Sequence, residues 1–513
     1  MQTSGSALPN PLPSWSWSTL LAMARAWPDK EALVTPRRRL TYRALIDTVI
    51  QVQQDWANQG LKSGDHVVTL VGNDWSYVIF YWAAIASGLV FVPLNIRLAA
   101  PEIAPILNEV DPSLIIAEET LFKQVGQPWL SVTISVETAL KNSAAYPSDR
   151  SYPPIAPKPN DVAVILYTSG TSGLPKGVML THQNISVQFY QASSALIKMR
   201  SDDRVVSLYP IFHTAQHVFL QAPLTIGATC VIDTFHPDQV IDLLKREAIS
   251  IFFGVPAMYH ILLQNDAFRA PTFPRLRTLA YGASIMPKET IEALRGRFPQ
   301  AEIQNLYGQT ENSPAVSGLD DAYALSKPGS VGRPLPGMTI AIVDDQDHEV
   351  DQGIVGEIVT RGINQMKGYY RNESATREAV RDGWYHTGDV GYLDGDGFLY
   401  VVDRKKDMII RGGQNIYSAE VENVLYTHPD IVECAVVGVP HAVYGEEVLA
   451  MIVLKQGSGL NKESLQQYMA TRIARYKVPV HVQFVDELPH NASGKILKRV
   501  IKSRWSIPPT TVL

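Results

Sequence analysis

Cysteine is almost missing from this chain. Its 513 residues include only Cys230 and Cys434, and neither sits in a CxxC pair. That excludes a disulfide framework and a thiolate-bound metal, and it fits a reducing, cytoplasmic setting. A dominant charge is missing too: 45 Lys and Arg against 50 Asp and Glu leave a formal net charge of −5. The balance excludes the basic surplus of a nucleic-acid binder, and 46% hydrophobic residues exclude a disordered chain. Small-molecule partners are expected, with no nucleic acid, in a monomer or homodimer.

Membrane and export signals are equally scarce. Met1 to Trp17 has neither the basic start nor the apolar core of a signal peptide. One apolar run, Tyr77 to Leu94, approaches the length of a membrane span, but Ser87-Gly88 interrupts it and Pro93 closes it. It reads as a buried helix over Tyr77 to Ala86, a Gly88 cap and a core strand over Leu89 to Pro93. No integral membrane segment is expected.

A chain this long exceeds what one core supports, so two or more domains are expected. From Glu31 to about Asp403, short β-branched runs alternate with amphipathic helices, the pattern of α/β layers. Ala228 to Phe235, Pro237 to Ala248 and Ile251 to Val255 read as strand, helix and strand, one βαβ unit. A helix is predicted over Lys288 to Phe298 and a strand over Thr339 to Val343, ahead of a turn-rich acidic stretch from Asp344 to Asp351. Beyond this the character changes. A helix over Ala419 to Tyr426, strands near Val432 to Val437 and Val448 to Leu454, and a helix over Lys462 to Tyr476 predict a small α+β unit. The expected division is a tail at 1–20, a large α/β region at 21–403 and a C-terminal α+β domain at 404–513. The charged run Asp403-Arg404-Lys405-Lys406-Asp407, after the strand Phe398 to Val402, serves as a hinge. On charge alone, a solvated turn fits that run equally well.

The strongest local signal is Tyr167-Thr168-Ser169-Gly170-Thr171-Ser172-Gly173-Leu174-Pro175-Lys176-Gly177, directly after the apolar strand Val162 to Leu166. Glycines let backbone amides approach an anion, four hydroxyls donate to phosphate oxygens, and one lysine supplies a compact positive charge. Polyphosphate binding is the natural reading. The loop is not a Walker A motif, which needs GxxxxGK[ST], whereas Lys176 follows Pro175.

These residues resemble the signature loop of the adenylate-forming superfamily, which holds acyl-CoA synthetases, adenylation domains and luciferases. The resemblance continues in order along nearly the whole chain. Tyr307-Gly308-Gln309-Thr310-Glu311 is similar to the family's YGxTE element, and Tyr385-His386-Thr387-Gly388-Asp389 to its TGD element. Asp403-Arg404 with Gly412-Gly413-Gln414-Asn415-Ile416 resembles the domain-junction element, and Pro489 to Lys495 the terminal lysine loop. The chain is most like AMP-forming acyl-CoA synthetases. That implies a layered α/β N-terminal region that binds ATP and acid, a small mobile C-terminal domain, and ATP, Mg²⁺ and coenzyme A as reaction partners.

By the same resemblance, Glu311 would hold Mg²⁺ and Thr310 would hydrogen-bond the α-phosphate. Lys176, with Thr168, Ser169, Gly170, Thr171, Ser172 and Gly173, would grip the β- and γ-phosphates. Lys495 would bridge the substrate carboxylate and α-phosphate where the pentavalent state develops. Asp389 suits two ribose hydroxyls, with Arg404 as its donor counterpart, and Tyr307 offers a π-face beside adenine. Gly282, Ala283 and Ser284 would form the opposite wall, and Asn305, Leu306 and Gly308 complete the nucleotide contacts. Taken singly, Glu311 reads as a capping carboxylate, Lys495 as a surface lysine, Asp389 as a turn residue and Tyr307 as core.

His213 and His217, four apart, have the spacing of two zinc ligands on a helix. The glutamate of HExxH is missing and no third ligand is evident. Pro210-Ile211-Phe212-His213 instead resembles the family's segment beside the acyl pocket, which would make His213 a residue lining or gating that pocket. Because Lys495 would occupy the thiol's approach, two half-reactions imply a swing of the small domain. The pivot would be Lys406, and a Gly412-Gly413 strand would line the pantetheine tunnel. Asp403, Ser284 and His490 depart from the commonest family pattern without removing a reacting group.

An amino-acid adenylation domain is disfavoured because Phe212-His213 offers no acidic anchor for an ammonium group. A luciferase-like oxygenase and a non-catalytic nucleotide sensor are the other readings. Apolar and aromatic residues at Phe212, Val218, Phe219, Tyr281 and Met286 suit a medium- or long-chain fatty acid, with an aryl acid as the alternative. Arg275 and Arg277, if inward, would favour a dicarboxylate.

Overall fold

A computed structural model of the chain describes residues 3–4, 16–148, 157–168, 175–284, 286–490 and 496–505. The chain divides into two compact units, residues 1–341 with 360–385, and residues 342–359 with 386–513.

The first unit is mixed α/β, as the alternating sequence pattern predicts. Strands Val90–Pro93, His66–Leu70, Leu114–Ala117 and Thr133–Ser135 run parallel in one sheet. Val162–Thr168 pairs parallel with Val90–Pro93, and beyond it Lys176–Thr181 and Gly368–Tyr369 continue the sheet antiparallel. A second set of parallel strands runs through Thr229–Ile232, Arg204–Ser207, Ile251–Gly254, Thr278–Gly282 and Glu302–Gly308.

The apolar run resolves as read. Helix Trp75–Ser87 begins at the Asp74 cap, whose side chain accepts from the Ser76 N–H, and ends at Gly88 in the left-handed conformation (φ 66°). Strand Val90–Pro93 follows. Every helix residue up to Ala86 is buried, including Trp82, Tyr77 and Tyr81, which suits a helix that is apolar all round. No helix among the described residues is long and apolar enough to cross a membrane.

The βαβ expectation holds, with one strand interposed. Thr229–Ile232 and Ile251–Gly254 are parallel, but Arg204–Ser207 lies between them and pairs with both. The connecting helix Pro237–Arg246 has 10 residues.

In the second unit, Ile431–His441 and Gly445–Leu454 form a long antiparallel pair, joined by Ile409–Arg411, Gln414–Ile416 and His481–Phe484. Helices Ser418–Tyr426 and Lys462–Ala470 close its core through Val421, Leu425, Leu465 and Met469. The helix predicted over Lys462 to Tyr476 therefore stops early. The N–H groups of Arg472 and Ile473 both donate to Met469 O, at 2.8 and 3.0 Å, and the chain bends so that Ile473, Tyr476 and Val478 return to the core. Packing overrides helical propensity here.

Two imidazoles of the first unit are sealed in. His182 is 1% and His217 0% exposed, and neither ring finds a hydrogen-bond partner among the described residues. Burial pushes His182 down to about 4 and His217 down to about 3. Both are neutral in the fold, while the unfolded chain takes up protons below about 6.5. Stability should therefore fall as pH drops from 7 toward 5, at up to roughly 1.4 kcal/mol per pH unit for each fully titrating group. Urea unfolding midpoints at pH 7, 6 and 5 test this. His217→Phe should flatten the slope, and a slope identical to that of the parent would contradict the assignment.

Candidate active site

The loop rich in Gly, Ser and Thr joins two adjacent antiparallel strands. Thr168 stands directly opposite Lys176, so both stems of the loop meet across one ladder rung. Ser169, Gly170, Thr171, Ser172 and Gly173 lie outside the described residues. Tyr167, at the first stem, donates from its hydroxyl to Glu109 Oε2 at 2.6 Å. Gly177, at the second, leaves room for that ring, since a Cβ there would lie 3.1 Å from the Tyr167 Cζ. The Lys176 ammonium sits 5.0 Å from the ring centroid of Tyr369.

The nucleotide-wall candidates gather at the C-terminal ends of two neighbouring parallel strands, where α/β sheets bind ligands. Gly282 pairs with Leu306, and a Cβ on Gly282 would approach Leu306 O to 2.7 Å. Ala283 follows with φ 69°, a left-handed conformation uncommon for a residue with a side chain, and both Ala283 and Ser284 are exposed. On the facing strand Tyr307 is half-buried and Gly308 exposed, while Asn305 is buried and donates from its amide to Ser330 O at 2.9 Å.

The strand then turns into the short helix Thr310–Asn312. Glu311 lies within it and does not cap it; Gln309 occupies the cap position. The Glu311 carboxylate accepts from the Tyr369 hydroxyl at 3.0 Å, and its backbone carbonyl accepts from Met366 N–H at 2.7 Å. Beside it, Tyr385 donates to Gln309 Oε1 at 2.8 Å. Lys176 and Glu311 thus share one aromatic neighbour, Tyr369. Sequence reading missed that residue because nothing in Gly-Tyr-Tyr signals a site; only strand pairing brings it there.

His213 lies in a turn whose N–H donates to Pro210 O, and His217 begins the π-helical segment His217–Gln221. His213 packs on Phe212 with centroids 4.8 Å apart, and burial, then the charge of Arg97, pushes it down to about 4. Phe212, Val218, Phe219, Tyr281 and Met286 are all buried. Arg277 donates to both carboxylate oxygens of Asp203, at 2.9 and 2.5 Å, and Arg275 donates to Asp202 O at 2.8 Å.

Within the second unit, Asp389 and Arg404 are ladder partners, and Arg404 Nε lies 3.3 Å from Asp389 Oδ1. Gly388, inside strand Trp384–Leu393, takes a left-handed step (φ 69°) just before Asp389. Lys406 is exposed in the turn after that strand. Gly412 and Gly413 form a two-residue hairpin loop between the paired Arg411 and Gln414, where a strand was expected. Both have positive φ, 56° and 79°, the geometry of tight hairpin turns. Asp403 is buried and accepts from the Ser418 N–H and hydroxyl at the start of helix Ser418–Tyr426. Lys498 donates to Ser418 Oγ at 2.7 Å and pairs with Glu422 at 2.8 Å. Lys495 lies outside the described residues, and His490 pairs with Ile496 across that stretch.

A family model described as AMP-binding enzyme matches residues 20–370, and one described as AMP-binding enzyme C-terminal domain matches residues 420–495. A feruloyl-CoA synthase of Amycolatopsis sp is 36% identical over 94% of this chain and 98% of its own length. An indoleacetate–CoA ligase of Aromatoleum aromaticum is 34% identical, over 92% and 94%. A long-chain-fatty-acid–CoA ligase of Bacillus subtilis is 31% identical, over 95% and 94%. Among solved structures, ATP-bound MatB from Rhodopseudomonas palustris superposes with a TM-score of 0.88 at 27% identity, covering 96% of this chain and 98% of that one. The o-succinylbenzoate CoA synthetase of Bacillus subtilis with its acyl-adenylate gives 0.85 at 29% identity, covering 95% and 98%.

A Cβ on Gly308 would fall 1.8 Å from Pro314 O, so the backbone on either side of the Glu311 turn would have to move. Gly308→Ala should lower stability by about 1–3 kcal/mol, an overpacking cost. Urea unfolding of the variant checks this, and an unchanged midpoint would show that the turn relaxes freely.

Proposed function

Since the chain belongs to the AMP-binding enzyme family and is an AMP-forming carboxylic acid:CoA ligase, we propose that it activates an aryl or arylalkyl monocarboxylic acid. ATP, the acid and CoA are its substrates. The observation that carries the reading is the pair of relatives at 36% and 34% identity, whose feruloyl and indoleacetyl groups both carry a ring. Buried aromatic residues in the segment around Phe212 and Phe219 suit a flat acid. Arg277 and Arg275, which would have favoured a dicarboxylate if inward, are instead engaged with Asp203 and Asp202. A fatty acid is the second reading, favoured by the 31% identical long-chain ligase, and it has the weaker support of the two.

The proposed chemistry follows from charge. A carboxylate and a triphosphate repel each other, so cations must be held where the new bond forms. Lys176 and the hydroxyls of Thr168, Ser169, Thr171 and Ser172 take the β- and γ-phosphates, with Gly170 and Gly173 admitting them to the backbone. Thr310 takes the α-phosphate, and Lys495 bridges it to the acid. Gly282, Ala283, Ser284, Asn305, Leu306, Tyr307 and Gly308 flank adenine, and Asp389 with Arg404 takes the ribose. His213, neutral at working pH, lines the acyl pocket.

Glu311 would hold Mg²⁺. An oxygen-only site with a single carboxylate suits a cation that keeps waters and takes phosphate oxygens, and no cluster of three ligating side chains occurs among the described residues. When bound, the ion neutralises phosphate charge. We further propose a working division into residues 21–403 and a mobile 404–513, pivoting at Lys406, with Gly412 and Gly413 beside the pantetheine arm.

Two assays test these readings. Thioester formation across phenylpropenoic, indoleacetic, fatty and dicarboxylic aryl acids should give kcat/KM at least about tenfold higher for the aryl monocarboxylates; a fatty or dicarboxylic optimum overturns the substrate reading. Lys406→Pro should leave pyrophosphate exchange within about twofold of the parent while thioester formation falls by roughly two orders of magnitude. Equal loss of both would rule out the pivot.

A further inference from the structure

Strand register makes Tyr369 the meeting point of two groups from distant segments. Tyr369 stands opposite Val178, and Gly368 opposite Met179. Side chains two apart on a strand share a face, so Lys176 is the diagonal neighbour of Tyr369. That is why its ammonium lies 5.0 Å from the ring centroid, within cation–π range. At the far end of the same ring, the hydroxyl donates to Glu311 Oε1 at 3.0 Å.

The backbone around Tyr369 is pinned at several points. Its own N–H donates to Thr376 Oγ1 at 2.9 Å. The N–H groups of Met366, Lys367 and Tyr370 donate to the carbonyls of Glu311, Met179 and Gly177, at 2.7, 3.0 and 2.7 Å.

We propose that Tyr369 is a positioning residue: its ring fixes the Lys176 ammonium and its hydroxyl orients the Glu311 carboxylate. A nucleotide's phosphates then meet both groups at one set spacing. The inference rests on the reading of Lys176 and Glu311 as polyphosphate and Mg²⁺ groups.

Calorimetric titration of the full chain with ATP, without acid, in the presence and absence of Mg²⁺, separates the two ends of the ring. Tyr369→Phe should bind ATP alone within about twofold of the parent yet lose about tenfold of the affinity that Mg²⁺ adds. Tyr369→Leu should lose the Mg²⁺ gain and also weaken binding of ATP alone by about threefold. Lys176→Ala and Glu311→Gln are run alongside. If those two weaken binding while both Tyr369 variants match the parent, the positioning role is overturned and the site reading stands. Identical behaviour of Phe and Leu would overturn the role of the ring. Parent-like binding by Lys176→Ala and Glu311→Gln would overturn the reading of the site, and the inference with it.

Discussion

The register of strand Lys176–Thr181 between its two neighbours is the constraint on which the meeting of Lys176, Tyr369 and Glu311 in the first unit depends. On one side it sets Lys176 opposite Thr168, and on the other it sets Val178 opposite Tyr369. A slip of one residue would turn Lys176 to the other face of the sheet, away from the aromatic ring and from the carboxylate beyond it. Val178 and Leu180, which share that strand face, are fully buried, so the slip would also cost the core two side chains. Packing therefore specifies the same alignment that brings Lys176 to Tyr369.

Burial governs the electrostatics around this frame. Burial keeps the His182, His213 and His217 imidazoles neutral, and the half-buried guanidinium groups of Arg204 and Arg277 are met by carboxylates. Arg204 pairs with Glu31 at 2.9 Å and with Glu247 at 2.7 Å, and Arg39 reaches the same two acids. The charges of Arg204 and Arg39 are thereby held in defined pairs, and Ile211, Phe212, Val218 and Phe219 are buried in the segment that carries His213.

Much of this organisation could be read from the residues themselves. The helix over Tyr77 to Ala86 and its Gly88 cap were legible because an apolar run ending in glycine has few alternatives. The strand Val162–Thr168 was legible because a short apolar run stands directly before a glycine-rich stretch. What escaped depended on contacts between distant segments. Skipping a strand in the βαβ unit, ending a helix at Ala470 and placing Tyr369 against Glu311 are decided by which surfaces meet, and local pattern does not encode that. Gly412-Gly413 failed differently: a glycine pair fits an extended strand or a tight reversal, and the reversal is chosen by the pairing of Arg411 with Gln414.

The Arg277–Asp203 pair also bears on how such an enzyme could change its diet. Asp203 is 3% exposed at its side chain, and Ser250 donates to it as well, at 2.8 Å. Recruiting Arg277 to greet a second carboxylate on a new acid would strand that aspartate, at a cost of about 3–5 kcal/mol for breaking a buried pair. Drift toward diacids would therefore have to draw on a cation other than Arg277, which the scaffold already holds.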